Sequence, residues 1–307
     1  MGTEIDPDAD EARSVMDERR NLLNVGYRLL GSLVEAEDMV QDAYTRWYAM
    51  TASEQAAIEN PGAWLTTVTS RICLNLLTSA RARREMYVGE WIPEPLPGPG
   101  GAAKPGSDDV TTDPADRVTL DESVSMALMV VMESMTPAER VAFILHDVFG
   151  YRFAEIAEIV GRSTGACRQL ASSARGRVRA AGADAVPTAR QADVVRRFEA
   201  AWRPKDIDSL VELLDPSVVA TADSGGRAVA FRDPLEGRDA VIEVWLQLAD
   251  RIGEMTLHQR SVNGQPGMIA VDADGRTVSI YAFEIVGEVI RRIWAIRNPE
   301  KLGPWTH

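Results

Sequence analysis

Residues 153–179 read FAEIAEIVGRSTGACRQLASSARGRVR, and the fold of the chain turns on this stretch. Phe153, Ile156, Ala157 and Val160 recur at i, i+3, i+4 and i+7, the spacing of one buried helix face. Gly161 then stops the helix, because a left-handed conformation costs glycine nothing, and Ser163 is placed to cap a second helix. In that helix Cys167, Leu170, Ala171, Ala174 and Val178 form an apolar stripe, while Arg168, Ser172, Arg175 and Arg179 share another face. Two short helices around a glycine turn, the second one basic, predict a helix-turn-helix whose second helix lies in a DNA major groove. Arg162 and the residues near the helix start, Thr164, Arg168 and Gln169, are expected against the DNA, with base edges closest to the start and phosphates further along. A structural helical hairpin with a solvated basic face fits the same pattern.

The composition narrows the classes. A chain of 307 residues, 45% hydrophobic and 26% charged, has room for two or three globular domains of roughly 100 residues. It opens MGTEIDPDAD and carries no apolar run of about 18 residues, which predicts neither a secretory leader nor a membrane span, and hence a cytoplasmic protein. Two cysteines and three histidines make no zinc site or disulfide framework, so Cys73 and Cys167 read as buried thiols, with no metal or cofactor expected. The net charge of −13 argues against a nonspecific nucleic-acid coat. Its distribution says more. The 161–180 stretch holds five arginines and no acid, and Arg71, Arg81, Arg83 and Arg84 form a second island without an acid between them. Two basic islands in an acidic chain predict two focused contacts to one polyanion.

Outward from the helix-turn-helix, Thr136-Pro137-Ala138-Glu139 has the arrangement of a capping box with proline at the first helical position. Val141, Ile144, Leu145 and Val148 form the stripe that follows, and a helix beginning near Asp116 is expected to bury Val124, Leu128, Val131, Met132 and Met135. Upstream, Ala36, Met39, Val40, Ala43, Tyr44 and Trp47 recur at helical spacing, leaving Asp38 and Asp42 one turn apart on an exposed face. Asn60-Pro61 starts a helix over about 63–79 with Trp64, Leu65, Val68, Ile72 and Leu76 on its apolar side and Thr66, Thr67, Ser70, Arg71 and Asn75 on its polar side. Aromatic, hydroxyl, amide and guanidinium groups together suit unpaired bases; a surface helix with a core tryptophan reads equally well. Residues 93–116, rich in proline and glycine, predict an extended, mobile linker. Beyond residue 181, helices over 189–202, 207–214 and 239–251 accompany strand-like runs at 218–222, 228–231, 255–262, 268–271, 278–286 and 289–296. That pattern predicts an α+β domain with a mainly antiparallel sheet.

The stretch Gly31-Ser32-Leu33-Val34-Glu35-Ala36-Glu37-Asp38-Met39-Val40-Gln41-Asp42, then Asn60-Pro61-Gly62-Ala63-Trp64-Leu65, the capped helix and the helix-turn-helix together resemble the extracytoplasmic-function (ECF) sigma factors of bacterial RNA polymerase. Trp91-Ile92-Pro93-Glu94-Pro95, Asp223-Ser224-Gly225-Gly226-Arg227 and Asn298-Pro299-Glu300-Lys301-Leu302 resemble motifs of the subgroup with a fused SnoaL-like domain, a cone fold of the nuclear transport factor 2-like superfamily. Ser224 stands where that subgroup usually has a third glycine.

The resemblance implies a multi-domain chain: sigma region 2 over 8–90, a linker over 91–117, sigma region 4 over 118–182, both regions all-α, and an α+β SnoaL-like cone over 186–307. It implies that Asp38, Gln41 and Asp42, with Trp47 beneath, bind the clamp helices of the polymerase core. Trp64, Thr67, Arg71 and Asn75, with Arg81, Arg83 and Arg84 behind them, would hold the melted −10 strand. Arg162, Thr164, Arg168, Gln169, Ser172, Arg175 and Arg179 would read −35 promoter DNA. Trp91, Pro93, Glu94 and Pro95 with Asp223, Gly225, Gly226 and Arg227 would form a regulatory contact between the fused domain and the sigma blocks, with no membrane involved. The 223–227 loop reads alternatively as an ordinary hairpin turn. Two other readings stay in view. One is a stand-alone, ligand-responsive helix-turn-helix regulator. The other is an enzyme using Asp223, Asp233, His258 and Tyr281, against the expectation that the chain is a transcription factor without catalysis of its own.

Overall fold

The computed structural model describes residues 18–84, 87–98, 124–182, 189–202, 204–252 and 255–305. Residues 8–17, the prolines at 99, 105 and 114, the helix start near 116 and the 183–188 boundary lie outside the described residues. The chain divides into two compact units. One gathers the described residues up to Ala82 with those of Val131–Ala181, and the other those of Arg83–Asp109, Asp121–Val130 and Gly182–His307.

In the first unit, α1 (Arg19–Leu30) ends at Gly31 in a left-handed conformation, and Ser32 caps α2 (Leu33–Tyr48) by accepting from Glu35 N. Leu22, Leu23, Leu29 and Leu30 of α1 and Ala36, Met39, Val40, Ala43 and Trp47 of α2 are buried. After the short α3 (Ala52–Ala56), Asn60 caps α4 (Pro61–Arg84) through Ala63 N at 2.9 Å. The polar side expected for α4 is partly wrong, because Thr66 and Ser70 are fully buried. Thr66 donates to Gly62 O at 3.0 Å within its own helix, which lets a hydroxyl enter the core at little cost.

α5 (Met126–Glu133) spans the boundary between the units, with Val124, Met126, Met129, Val131 and Met132 buried and Leu128 half-buried. α6 (Pro137–Phe143) starts with both halves of the capping box between Thr136 and Glu139 and continues as a π-helical turn over Ile144–Val148, which the sequence pattern did not predict. α7 (Phe153–Val160), Gly161 at φ 67° and α8 (Thr164–Ala181) form the expected helix-turn-helix. Ile156 and Ile159 are the buried residues of α7, while Phe153, Ala157 and Val160 are only half-covered. Phe153 lies against His146 instead, with ring centroids 3.9 Å apart.

The second unit contains α9 (Ala189–Trp202), α10 (Ile207–Leu213), β1 (Leu214–Asp223), β2 (Leu235–Glu236), α11 (Arg238–Ile252), β3 (Thr256–Val262), β4 (Gln265–Val271), β5 (Thr277–Val286) and β6 (Val289–Ile296). The strands form one sheet in the order β2-β1-β6-β5-β4-β3, antiparallel except for the β1–β6 pair. Residues 228–231, expected as a strand, are loop, and the two-residue β2 takes the edge beside β1. Phe283 and Ile293, paired across β5 and β6, join the helix-side core with Phe198, Leu213, Val241 and Trp245. By strand alternation Ile280, Ala282, Trp294 and Ile296 belong to the opposite face, which is equally buried.

Residues 91–98 supply the largest correction. The expected mobile linker begins as a docked strap: Ile92, Pro93, Glu94, Pro95 and Leu96 are buried, and Pro97 forms an antiparallel bridge to Val262. Leu96 and Asn263 exchange two bonds, Leu96 N to Asn263 Oδ1 at 3.0 Å and Asn263 N to Leu96 O at 2.8 Å, and Gly98 N donates to Ser261 O. A strand edge offers unpaired backbone groups, and the strap satisfies them along β3.

Glu139 ties the capping box to α8, accepting from Thr136 and, at 2.7 Å, from Ser173. Burial raises its pKa, but Ser173, Thr136 and the Arg177 charge outweigh this and hold the carboxyl below the usual range. Its contribution is therefore present above the unfolded-state pKa and is lost as pH falls through the lower folded value. Thr136→Ala is expected to cost about 1 kcal/mol at neutral pH, and less at pH 3, in urea unfolding followed by circular dichroism.

Candidate functional site

The basic face of α8 is exposed on a capped and well-anchored helix. Ser163 Oγ accepts from Ala166 N at 3.2 Å, and Cys167, Ala171, Ala174 and Val178 anchor the inner face. Arg162, Arg168, Gln169, Ser172 and Arg179 are exposed, with Thr164 and Arg175 half-covered. Arg168 lies over the Phe153 ring at 5.8 Å, which orients its guanidinium without neutralising it. Arg175 is engaged by Asp147 at 2.9 Å.

Asp38, Gln41 and Asp42 are exposed on α2 and line a shallow cleft of about 420 Å³ with Met39, Thr45, Ile72 and Leu76. Asp42 also holds Arg46 at 3.2 Å. Trp47 is buried beneath this face and meets the half-buried Trp64 edge-on, centroids 5.3 Å apart. Thr67 is half-buried, and Arg71 and Asn75 are exposed further along α4. Arg81, Arg83 and Arg84 continue the helix, their side chains lying outside the described residues.

These two faces do not stand free of each other. Arg71 Nη2 donates to Glu158 O of α7 at 3.0 Å, and Arg28 of α1 lies over the Phe149 ring at 5.2 Å. The 3%-exposed Arg140 of α6 donates to Leu29 O at 2.9 Å, to Met132 O at 2.6 Å and to Glu133 at 2.7 Å.

A second constellation gathers around Asp223, at the end of β1 and fully buried. Its carboxylate accepts from Tyr87 Oη at 2.7 Å, Ile92 N at 3.0 Å, Gly225 N at 3.1 Å and Lys301 Nζ at 2.6 Å. Its backbone oxygen accepts from Arg297 N and Asn298 N. Lys301 also donates to Ile92 O and lies 4.1 Å from the Trp91 ring, while Asn298 Nδ2 donates to Tyr87 Oη at 2.7 Å. Trp305 Nε1 adds a bond to Pro95 O at 2.8 Å. Three separated sequence segments thus close on one buried ion pair. The 223–227 loop is more than a surface turn. Gly225 and Gly226 both have positive φ, and a Cβ on Gly225 would meet the Asn298 amide. Ser224 needs no positive φ, and its hydroxyl accepts from Gly226 N, which accounts for a side chain being tolerated there. Arg227 reaches Glu300 at 2.9 Å on the surface.

Tyr87, Asn263, Asn298, Lys301 and Trp305 were not singled out as site residues from the sequence. Asn298 and Lys301 lie within a recognisable motif, but nothing in its spacing points to a carboxylate 78 positions earlier. Conversely, Asp233 and His258 are exposed, Tyr281 packs against Trp245 and Asp223 is bound to Lys301, so the four groups considered for catalysis do not converge.

Comparison with known proteins matches residues 15–83 to Sigma-70 region 2, residues 125–178 to Sigma-70, region 4, and residues 195–292 to a SnoaL-like domain. The chain is 40% identical to the ECF RNA polymerase sigma factor SigJ of Mycobacterium tuberculosis, over 92% of this chain and 90% of that protein. It is 34% identical to the probable ECF RNA polymerase sigma factor SigI of the same species, over 93% and 92%. The crystal structure of Mycobacterium tuberculosis extracytoplasmic function sigma factor SigJ superposes with a TM-score of 0.73 at 35% identity, covering 95% of this chain and 98% of that one.

The Asp223–Lys301 pair sets a testable energy. Lys301→Met leaves a buried carboxylate without its cation and is expected to cost about 3–5 kcal/mol in guanidinium unfolding. Burial, followed by Asp223, pushes the Tyr87 phenol above its usual pKa. The phenol's contribution is therefore complete below about pH 10, the unfolded value, and is lost as pH rises further. Tyr87→Phe should flatten that alkaline loss in the same experiment.

Proposed function

This chain belongs to the ECF RNA polymerase sigma factors, and from that premise we propose how its parts divide the work of directing promoter-specific transcription initiation. The exposed Asp38, Gln41 and Asp42 face, backed by Trp47, docks on the clamp helices of the polymerase core, steered by opposite charge. Trp64, Thr67, Arg71 and Asn75, followed by Arg81, Arg83 and Arg84, hold the melted −10 strand, where stacking and phosphate contacts offset the few kcal/mol of unstacking. Arg162, Thr164, Arg168, Gln169, Ser172, Arg175 and Arg179 read the −35 element. The natural boundaries are region 2 over 8–90, region 4 over 118–182 and the SnoaL-like domain over 186–307. A partner of this kind places the protein in the cytoplasm, and the scattered Asp233, His258 and Tyr281 favour a regulatory fused domain over a catalytic one. The stand-alone regulator finds no support in the comparisons.

Regulation in cis is carried by one observation, the buried closure of Asp223 and Lys301 on Ile92. We propose that the fused domain acts by holding the Trp91–Pro95 strap and so shortening the tether between the two readers. Effective concentration on a two-element promoter depends on free tether length. The Arg71–Glu158 and Arg140–Leu29 bonds describe a closed arrangement of the readers. Promoter elements named −10 and −35 lie more than two helical turns apart, upward of about 68 Å, so those bonds break before both elements are engaged.

Run-off transcription with purified core polymerase tests the assignment. Arg168→Ala is expected to lose about 1–3 kcal/mol of discrimination at one −35 position, measured on a promoter library; unchanged preference removes Arg168 from the reader. Asp223→Ala and Trp91→Ala are each expected to change transcript yield several-fold while core binding persists. Unaltered yield from both would rule out the strap as a regulator.

A further inference from the structure

The π-helical turn ahead of the helix-turn-helix has no part in the roles given so far. It runs over Ile144–Val148 and is closed by a bond from Phe149 N to Ile144 O at 3.2 Å. A bond that spans five residues, where an α-helix spans four, takes up one extra residue and turns the side chains beyond it away from their regular helical directions. Gly150 follows with φ 72° and its N–H on His146 O, and Tyr151 N donates to Leu145 O at 2.8 Å. Ile144 and Leu145 stay in the core, while His146 is half-buried and Asp147 exposed. These two adjacent polar side chains both serve α8.

His146 Nδ1 lies 2.9 Å from Tyr151 O, and because a carbonyl only accepts, that nitrogen carries a proton and the ring is held in place. The imidazole lies against the Phe153 ring, centroids 3.9 Å apart and planes inclined by 30°. Phe153 in turn carries the Arg168 guanidinium at 5.8 Å. Two helical turns further along α8, Arg175 Nη1 donates to Asp147 Oδ1 at 2.9 Å. The turn therefore reaches two arginines of one helix face, the first through stacked rings and the second through a carboxylate. The two supports differ in what they leave free. A ring face attracts the guanidinium but accepts no classical hydrogen bond, so the N–H edges of Arg168 remain available to a base. Asp147 directs Arg175 and also offsets part of its charge, which weakens its pull toward any phosphate regardless of sequence. A long side chain without support forfeits rotamer freedom when it is ordered on a partner.

We propose that Phe153 and Asp147 are specificity-determining positioning residues for −35 reading: the π-helical turn fixes Phe153 through His146, Phe153 aims Arg168, and Asp147 aims Arg175. Neither residue has to touch DNA. The inference rests on the assignment of α8 to the −35 element and adds to it the device that sets the direction of its arginines. An aimed arginine meets its own base and cannot swing to a mismatched base or a neighbouring phosphate. Losing the support therefore lowers the ratio of correct to incorrect promoters more than it lowers total binding. Were Phe153 only a packing residue of α7, its loss would reduce the folded fraction and lower all promoters together, at an unchanged ratio.

The test is run-off transcription by the full-length protein with core polymerase on a pool of templates that differ only in the −35 element, each variant's transcript ratios being read within one reaction. Arg168→Ala is expected to flatten the preference at one position by about fivefold or more. Phe153→Leu is expected to flatten that same position by about threefold, and Phe153→Tyr, which keeps the ring face, to restore it to within about twofold. The Phe153→Leu, Arg168→Ala double variant is expected to be no flatter than Arg168→Ala alone, because the ring acts through the arginine. Should Phe153→Leu not fold, the exposed Asp147 supplies the second arm: Asp147→Asn is expected to flatten, by about twofold to fivefold, the position that Arg175→Ala flattens. Unchanged preference in Phe153→Leu or Asp147→Asn, beside a flattened preference in the matching arginine variant, would overturn the positioning role alone. Failure of Phe153→Tyr to restore the preference, or additive losses in the double variant, would do the same. Unchanged preference in Arg168→Ala and Arg175→Ala would overturn the −35 assignment, and the positioning role with it.

Discussion

The buried contact between Lys301 Nζ and Asp223 is the constraint on which the second unit's organisation rests. A carboxylate with no exposed surface must be neutralised and hydrogen-bonded. Asp223 meets that demand with the local Gly225 amide and by drawing in groups from distant parts of the chain: Tyr87 and Ile92 from the strap and the residues just before it, and Lys301 from the C-terminal turn. Once Lys301 is held, its ammonium also fixes Ile92 O and lies over Trp91, and the strap is committed to the sheet. The apolar contribution follows from this placement. Ile92, Leu96, Leu302 and Trp305 are buried on a unit whose second sheet face, with Ile280, Trp294 and Ile296, must be shielded from water.

In the first unit a different cation has a comparable part. Arg140, nearly without exposed surface, bridges the carbonyls of Leu29 and Met132 and the carboxylate of Glu133, so a helix of region 4 is bonded to one of region 2. These are charge-assisted bonds, stronger than neutral ones but few in number. A few such bonds hold the arrangement while leaving it open to a partner whose binding free energy favours the separated state, as the proposed function requires.

Local signals in the sequence carried the elements well. The capping box at Thr136, the glycine stop at Gly161 and the stripe of Cys167, Ala171, Ala174 and Val178 are all set by neighbours within a few residues, and each appears where its spacing predicts. What failed depended on distant partners. Thr66 and Ser70 look solvent-facing by composition, but are buried where other elements cover α4. Residues 228–231 alternate like a strand, yet the place beside β1 is taken by Leu235–Glu236. The proline run after Trp91 reads as mobile because proline spacing reports backbone stiffness and not docking; the surface that receives it is assembled from residues 130 to 210 positions away. The exposed basic face of α8 was legible because arginines on one helix face need no partner to be seen, whereas Lys301 acquires its place only from Asp223.

The most direct measurement of the account is amide hydrogen exchange on the full-length protein and on its Asp223→Ala variant, resolved at Ile92, Leu96 and Gly98 and referenced to the amides of the β5–β6 pair. The account predicts that the three strap amides are protected in the unaltered protein, and that Ile92 exchanges at least about tenfold faster in the variant while the reference strands keep their protection. Rapid exchange of the strap in both proteins, or protection unchanged by loss of the carboxylate, would contradict it.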